Sequence, residues 1–220
     1  MKYWLRYSKI GLLKYVGHLD MLRHWERILR RAELPLAFSQ GFSPHPLISL
    51  AAPLPVGQES QAEYLELELR EAVEPLALLV AVGESLPVGL RAMAAAAVPV
   101  ATKSLMGLVR FADYRLHGLE VADLLPNLQG FLSTPSFAFT VKRKGGAKEV
   151  DIRPLVREAS ISGDTVTACL ATGSTGNLRP EDLLRALCAN TPIAIMRQEL
   201  YLEPGGQLVT PWQFLGVDTQ

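Results

Sequence analysis

The apolar positions in the first half of the chain switch between strand spacing and helix spacing. Strands place apolar side chains at every second residue, and helices place them at every third or fourth. Strand spacing predicts strands at residues 2–8, 47–54, 62–70 and 89–101. Helix spacing predicts helices at residues 18–32 and 75–84. The resulting order, β-α-β-β-α-β, is that of a split βαβ or ferredoxin-like unit.

The second half of the chain repeats this order in outline. The predicted elements are strand 108–117, helix 121–132 with a proline flaw at Pro126, a hairpin of 137–143 and 148–152 across Gly145-Gly146, a hairpin of 155–161 and 165–171, helix 180–189 and strand 195–202. We therefore predict an α+β protein with tandem ferredoxin-like units and antiparallel sheets, at residues 1–103 and 104–220, the second carrying an extra hairpin. Because no residue-level repeat accompanies this order, a single continuous α+β sheet is the alternative.

The predicted strand at residues 62–70 has a two-faced pattern. One face carries Leu65, Leu67 and Leu69, and the other carries Tyr64, Glu66 and Glu68. Such an alternation predicts one face in the core and one acidic face in solvent. An exposed acidic strand from Glu63 to Glu71 could dock a partner protein.

The composition is typical of a folded globular protein, since 49% of the 220 residues are hydrophobic and 20% are charged. No apolar run reaches the ~20 residues of a membrane span, and the start MKYWLRYSK has no secretion-signal pattern. The two cysteines, Cys169 and Cys188, are too few for an iron–sulfur cluster and lack zinc-site spacing. We expect a cytoplasmic protein with no membrane contact, no metal and no cofactor.

The formal net charge is zero, but the basic residues are clustered. The candidate contacts to RNA phosphates are Arg23, Arg27, Arg30 and Arg31 on the first helix and Lys142, Arg143, Lys144 and Lys148 on the first hairpin of the second half. Arginines three and four residues apart lie along one side of a helix and can follow a phosphate backbone. A solvated helix face, balanced by Glu26 and Glu33, is the alternative interpretation.

The segment SQGFSPHP, residues 39–46, predicts a stiff loop because Gly41 permits a turn and Pro44 and Pro46 restrict the backbone. Phe42 is a candidate RNA contact in this loop. His45, held between the two prolines, is a candidate general acid or base. His18 is a second catalytic candidate, because it opens the arginine-rich helix where free N–H groups favour an anion. A rigid crossover loop and a plain helix start are the structural alternatives.

The segment ATGSTGNLRPEDLL, which begins at Ala171, predicts a polar loop before a helix. Its candidate anion contacts are Gly173, Ser174, Gly176, Asn177 and Arg179. An ordinary strand-to-helix connection explains the same residues. The chain has no HExxH, GxSxG or GxGxxG motif, which disfavours classical hydrolase and dehydrogenase chemistry.

The run GHLDMLRHWERILRRAELPLAFSQGFSPHPLISLAAPLPVG, with GNLRPEDLL later in the chain, resembles the bacterial radical SAM-linked domain of unknown function. The resemblance covers nearly the whole chain and is strongest over residues 1–70. Such domains occur alone or as C-terminal extensions of cobalamin-binding radical SAM proteins. They are often encoded beside a ribonuclease of the E/G type and ribosomal proteins. The resemblance therefore implies a radical SAM/cobalamin partner, a ribonuclease E/G-type enzyme as another partner, and work on RNA.

The patterns and the resemblance together favour an auxiliary RNA-binding protein that serves a radical SAM partner in modifying or processing tRNA or rRNA. Such a protein need not be catalytic on its own. The first alternative is a metal-independent ribonuclease that uses His45 or His18 as general acid or base. The second alternative is a protein–protein docking module that contacts no RNA.

Overall fold

The computed structural model describes residues 1–119, 124–143, 145–173, 175–189 and 194–217. Its strands are β1 (Lys2–Lys9), β2 (Ile48–Leu50), β3 (Glu59–Glu68), β4 (Leu90–Val98), β5 (Val109–His117), β6 (Ala138–Arg143), β7 (Gly146–Asp151), β8 (Val156–Ser162), β9 (Thr165–Ala171) and β10 (Ala194–Leu202). Its helices are α1 (His18–Arg31), α2 (Pro75–Glu84), α3 (Leu105–Leu108), α4 (Leu124–Ser133), α5 (Pro180–Ala186) and α6 (Pro211–Leu215). The prediction of a mixed α+β fold with mostly antiparallel strands is confirmed.

The chain divides into two compact units. Unit 1 comprises Met1–Val109 together with Glu199–Gln220, and unit 2 comprises Arg110–Gln198. No helix in the described ranges is both long enough and apolar enough to cross a membrane.

The sheet of unit 1 has the strand order β4–β1–β3–β2. Every pairing in this order is antiparallel, and Leu5 at its centre lies opposite both Leu65 and Ala95. Helix α1 packs on one face because its apolar residues recur at helical spacing, so that Trp25 meets Tyr7 edge to face at 4.7 Å. The predicted helix 18–32 is thus confirmed as α1, and its charged side is left in solvent.

The other face of the unit 1 sheet is also covered, which corrects the prediction of an exposed acidic strand. Helix α6 lays Trp212 against Tyr64, with ring centroids 5.8 Å apart. Glu63 is 3% exposed and Glu66 is 8% exposed, so neither contributes to an acidic surface. The alternation of side chains along β3 is real, but residues 62–67 are buried on both faces of the sheet.

A hydrogen-bonded polar network lies under this covered face. Glu66 accepts hydrogen bonds from Trp4 Nε1 at 2.8 Å and from the backbone N–H of Leu105 at 3.0 Å. Glu199 accepts from Arg6 at 2.8 Å and from the Tyr64 hydroxyl at 2.7 Å. Buried carboxylates need such donors, because an unpaired charge away from water is costly.

The sheet of unit 2 has the order β10–β5–β9–β8. Its central pairs, β5 with β9 and β9 with β8, are antiparallel and bring Leu116 and Val166 into the core. Strands β6 and β7 form a separate two-stranded sheet, as the hairpin prediction required. The ring of Phe137, just before β6, packs against the ring of Phe131 of α4, with the ring centroids 5.2 Å apart. The backbone N–H of Phe137 also donates to Asp151, which lowers the pKa of that carboxyl group and ties the base of the hairpin.

The predicted helix 180–189 is shorter in the structure, since α5 ends at Ala186. The predicted helix 121–132 is described from Leu124 onward as α4, and residues 121–123 lie outside the described residues. Helices α3 and α6 were not predicted from the sequence.

Candidate nucleic-acid interface

The four arginines of α1 are all exposed, but they are not equally available. Arg23 forms an ion pair with Asp20 at 3.0 Å, with side chains 67% and 63% exposed. An exposed pair of this kind is worth little and is easily exchanged for another anion. Arg31 donates to the backbone carbonyl of Ser85, which ties it to the end of α2. Arg27 has no hydrogen bond or ion pair with a described residue.

The loop at residues 39–46 is closed by its own hydrogen bonds. The backbone N–H of Ser39 donates to the carbonyl oxygen of His45 at 2.9 Å. The backbone N–H of His45 donates in return to Ser39 Oγ at 3.1 Å. Gly41 has a φ of +126°, which L side chains rarely adopt, so the turn requires glycine there. The predicted stiffness of the loop thus comes from Ser39 as well as from the prolines.

Phe42 stands at the tip of this loop with its whole side chain in solvent, at 110% relative exposure. A phenyl ring in water gains free energy when another flat or apolar surface covers it. A nucleic-acid base is one such surface, because every base presents a π-face.

His45 is oriented through one ring nitrogen. Its Nδ1 lies 2.9 Å from Ser39 Oγ, which leaves Nε2 as the nitrogen that can meet a ligand. A small cavity of about 210 Å³ is lined by His45, Ser49 and Glu68, among others. An oriented imidazole beside a carboxylate can transfer protons if a substrate reaches both.

The end of α1 and the loop meet in unit 1. The guanidinium of Arg30 lies over the ring of Phe38, 5.8 Å from its centroid. Phe38 in turn pairs with Pro46 across the mouth of the loop. The structure thus brings together Arg30, the Phe42 loop and His45.

His18 is at the other end of α1. Residues 18 to 30 of a helix span about 18 Å along its axis, so His18 is one helix length from the arginine that contacts Phe38. Its ring is half-buried, and Nδ1 is buried with no hydrogen-bond partner among the described residues. The structure does not group the two catalytic candidates.

The other predicted phosphate contacts belong to unit 2. Lys142 and Lys148 are exposed on the β6–β7 hairpin, where Lys142 lies opposite Ala147 and Lys148 opposite Val141. Arg143 pairs with Gly146 in the same ladder. Lys144 lies outside the described residues.

The predicted anion loop is also in unit 2. Gly173 has a φ of +111°, Asn177 and Arg179 are exposed, and Ser174 lies outside the described residues. A side chain at Gly176 would meet Leu155 at 3.0 Å, so that glycine permits close packing. Helix α5 begins with Pro180, which has no N–H to offer. These features fit an ordinary strand-to-helix connection, and the anion-binding role of the loop stays a prediction.

Sequence reasoning missed Ser39, which fixes both the loop and the imidazole. Its signal was weak, since a serine six residues before a histidine has no fixed meaning until the loop closes. The Pro-His-Pro pattern indicated a stiff loop, but the serine that orients the imidazole could not be read from it.

Comparison with known protein families gives a match over most of the chain. A family described as an uncharacterized protein conserved in bacteria (DUF2344) matches residues 2–180, which is well over half of the chain. No curated protein matches the chain. The description of the family gives neither an activity nor a partner.

Proposed function

We propose that this chain, which belongs to the DUF2344 family of uncharacterized proteins conserved in bacteria, binds RNA through α1 and the loop at residues 39–46. In this proposal Arg23, Arg27 and Arg30 contact backbone phosphates, and Phe42 stacks on a base. Single-stranded RNA is the form that suits such a surface, because its bases are free to stack on aromatic side chains.

The observation that carries the proposal is the contact of Arg30 with Phe38 beside a fully exposed Phe42. It gives the surface cations and an aromatic platform within one part of unit 1. Successive arginines on the exposed side of α1 are three or four residues apart, which places them about 5–6 Å from one another, a distance that neighbouring phosphates can match. Arg27 supports the proposal further, since it is exposed and has no carboxylate partner in the described part of the chain.

The test is RNA affinity as a function of salt. We expect binding to weaken as salt rises, because counterions are released when arginines neutralise phosphates. Arg27→Gln should reduce the salt slope by about one. Arg27→Glu and Arg30→Glu should each weaken binding about tenfold. Phe42→Ala should cost about 1–3 kcal/mol of binding.

The matched control is Arg91→Glu, an exposed arginine on β4 of the same unit. It makes the same change in net charge away from α1 and should leave affinity near that of the unaltered protein. The proposal fails if RNA affinity does not change with salt concentration. It also fails if charge reversal at Arg27 and Arg30 weakens binding no more than charge reversal at Arg91.

The finer fold and the cellular setting belong to the same proposal. The order β4–β1–β3–β2 in unit 1 supports a ferredoxin-like unit, and the order β10–β5–β9–β8 supports a second one if β6–β7 is an inserted hairpin. The resemblance to the radical SAM-linked domain supports a radical SAM/cobalamin partner in the cytoplasm, and a ribonuclease E/G-type enzyme as another. Co-purification of the tagged protein, with and without nuclease, tests for these partners. If neither the radical SAM/cobalamin protein nor the ribonuclease co-purifies with the tagged protein, the proposal of these partners fails.

A second function, metal-independent ribonuclease, is favoured by the orientation of His45 and by the presence of Glu68 in the lining of the same cavity. Purified protein in excess chelator should then cut single-stranded RNA, and His45→Ala should stop it. His18→Ala is the companion variant, since His18 lies at the far end of α1. If no RNA is cut under these conditions, His45 has a positioning or binding role only.

A further inference from the structure

One face of the unit 2 sheet is packed and the other is open. Along β5, Tyr114 and Leu116 are buried, whereas Arg115 between them is exposed. Since side chains alternate along a strand, Asp113 and Arg115 share the open face. This face played no part in the sequence analysis.

The strand register places polar residues of three strands side by side on that face. Asp113 of β5 is opposite Cys169 of β9, and Cys169 is opposite Glu158 of β8. The next row contains Arg115, Thr167 and Ser160 in the same order. Ser160 Oγ and Thr167 Oγ1 are 2.7 Å apart, so these hydroxyl groups hold each other in place. The two rows form a patterned polar surface rather than a random one.

These rows line a cavity of about 570 Å³. Its charged and reactive lining residues are Asp113, Arg115, Arg153, Arg157, Glu158 and Cys169. The volume lies within the usual range for small-molecule sites, about 300–1,000 Å³. It is far larger than a lone inorganic anion needs.

Two of the arginines are fixed before any ligand arrives. Arg153 donates to the carbonyl oxygens of Val156 at 2.9 Å and Leu132 at 3.2 Å, while its Nε is buried without a partner in the described residues. Arg157 lies over the ring of Phe111, 5.9 Å from its centroid. Held guanidinium groups lose little freedom when they bind an oxyanion.

The surroundings of Cys169, at the centre of the first row, favour the neutral thiol. Burial raises the pKa of Cys169, and the neighbouring carboxylates Asp113 and Glu158 raise it further. A thiol held in its neutral form is a poor nucleophile and a poor metal ligand. Burial and the neighbouring charges therefore disfavour covalent chemistry at Cys169.

We propose that this cavity is a nucleotide site in which Arg115 and Arg157 hold the phosphate and Asp113 and Glu158 accept hydrogen bonds from the base or the ribose. Three arginines and two carboxylates give the lining a formal charge of +1, which suits a ligand carrying both an anionic group and several donors. A polyanion without hydrogen-bond donors would be repelled by the two carboxylates and would bind more weakly. The Phe111–Arg157 pair offers a flat, cationic surface against which a base can stack.

The nucleotide can come from two sources: a free mononucleotide or one residue of a bound RNA strand. In the second case the inference rests on the proposed function. A competition experiment distinguishes the two sources. A short single-stranded RNA displaces a labelled mononucleotide only if the strand reaches the same cavity. The site is in unit 2, so it can be tested apart from Arg27 and Arg30 of unit 1.

The experiment is titration of the full-length protein with each 5′-mononucleotide, with the matching nucleosides and with inorganic phosphate. We expect saturable binding of at least one mononucleotide, and binding at least about tenfold weaker for its nucleoside and for phosphate alone. Arg157→Glu and Arg115→Glu should each weaken the mononucleotide about 10- to 100-fold. The matched control, Arg91→Glu, makes the same change in net charge at an exposed arginine of unit 1, outside the cavity, and should leave binding unchanged. Urea unfolding checks that each variant is folded.

The outcomes distinguish the nucleotide site in unit 2 from RNA binding through α1. Mononucleotide binding lost in Arg157→Glu but kept in Arg27→Glu supports the cavity even if RNA binding through α1 fails. Competition by a short RNA assigns the site to a strand, and lack of competition assigns it to a free nucleotide. If no mononucleotide binds and Arg157→Glu leaves RNA affinity unchanged, the inference is wrong. Equal loss in Arg157→Glu and Arg91→Glu would also overturn it, because the effect would then be one of overall charge.

Discussion

Replacing Tyr64 by phenylalanine should give unit 1 a stability difference that disappears at high pH. Tyr64 is fully buried, and its hydroxyl donates to Glu199 Oε1 at 2.7 Å. Burial raises the pKa of Tyr64 well above its ordinary value of about 10, and the charge of Glu199 raises it further. The hydroxyl is therefore kept protonated in the folded protein across the usual alkaline range.

The size of the effect follows from the hydrogen bond and from proton linkage. Near neutral pH the substitution removes a bond to a charged acceptor, which costs about 1.5 kcal/mol of unfolding free energy because Arg6 still neutralises Glu199. Above pH ~10 the unfolded chain releases the Tyr64 proton and the folded chain keeps it. The unfolded state then binds fewer protons, so stability falls as pH rises. For one such group the loss between pH 9 and pH 11 is about 1.4 kcal/mol.

The assay is urea unfolding of both proteins at intervals from pH 8 to pH 11, followed by tryptophan fluorescence. The unaltered protein should lose its advantage over Tyr64→Phe steadily above pH 9, and the two should be nearly equal at pH 11. Tyr15→Phe, which changes a tyrosine that is 62% exposed, makes the same chemical change in solvent and should keep the alkaline slope. A constant difference between Tyr64→Phe and the unaltered protein at every pH would refute the buried pairing with Glu199.

Two further substitutions test the packing of unit 1. Trp212→Ala should lower the free energy of unfolding in urea by about 3–5 kcal/mol, because the ring is 2% exposed. Phe214→Ala, at 39% exposure, should lower it by less than half as much. Equal losses for the two variants would contradict the packing of α6. Gly89→Ala should cost at least about 2 kcal/mol, because φ is +95° and a Cβ would lie 2.7 Å from the carbonyl oxygen of Ile10. Gly163→Ala, at φ +58° in open space, should cost only about 1 kcal/mol, and a similar melting temperature for both variants would show that the contact with Ile10 does not matter.

The sequence predicted helices and strands well where local periodicity decides the structure. The apolar spacing through Trp25, Ile28 and Leu29 defined α1 closely, because a helix that packs on a sheet must keep one side apolar. The alternation of β3 was also visible. What the alternation could not reveal was the cover on its second face, because α6 comes more than a hundred residues later in the chain.

The candidate sites divide in the same way. Residue type and spacing indicated the α1 arginines and the Pro-His-Pro loop. The contact between Arg30 and Phe38 depends on where the chain returns after α1, which no local pattern encodes. The Asp113, Cys169 and Glu158 row depends on strand register, and a shift of one residue would move each side chain to the other face. Such rows become visible only when pairing partners are known.

The burial of Trp212 against Tyr64 also bears on the order in which a growing chain can fold. Strands β1 and β3 leave the ribosome early, yet the residues that shield one side of them are made after all of unit 2. Domains generally fold as units during synthesis. Unit 1 therefore stays incomplete, with an aromatic and acidic surface exposed, until residue 212 has been translated. Strands made before unit 2 are then completed only after it, and a ribosome that stalls before that point would hold a chain prone to associate with other chains.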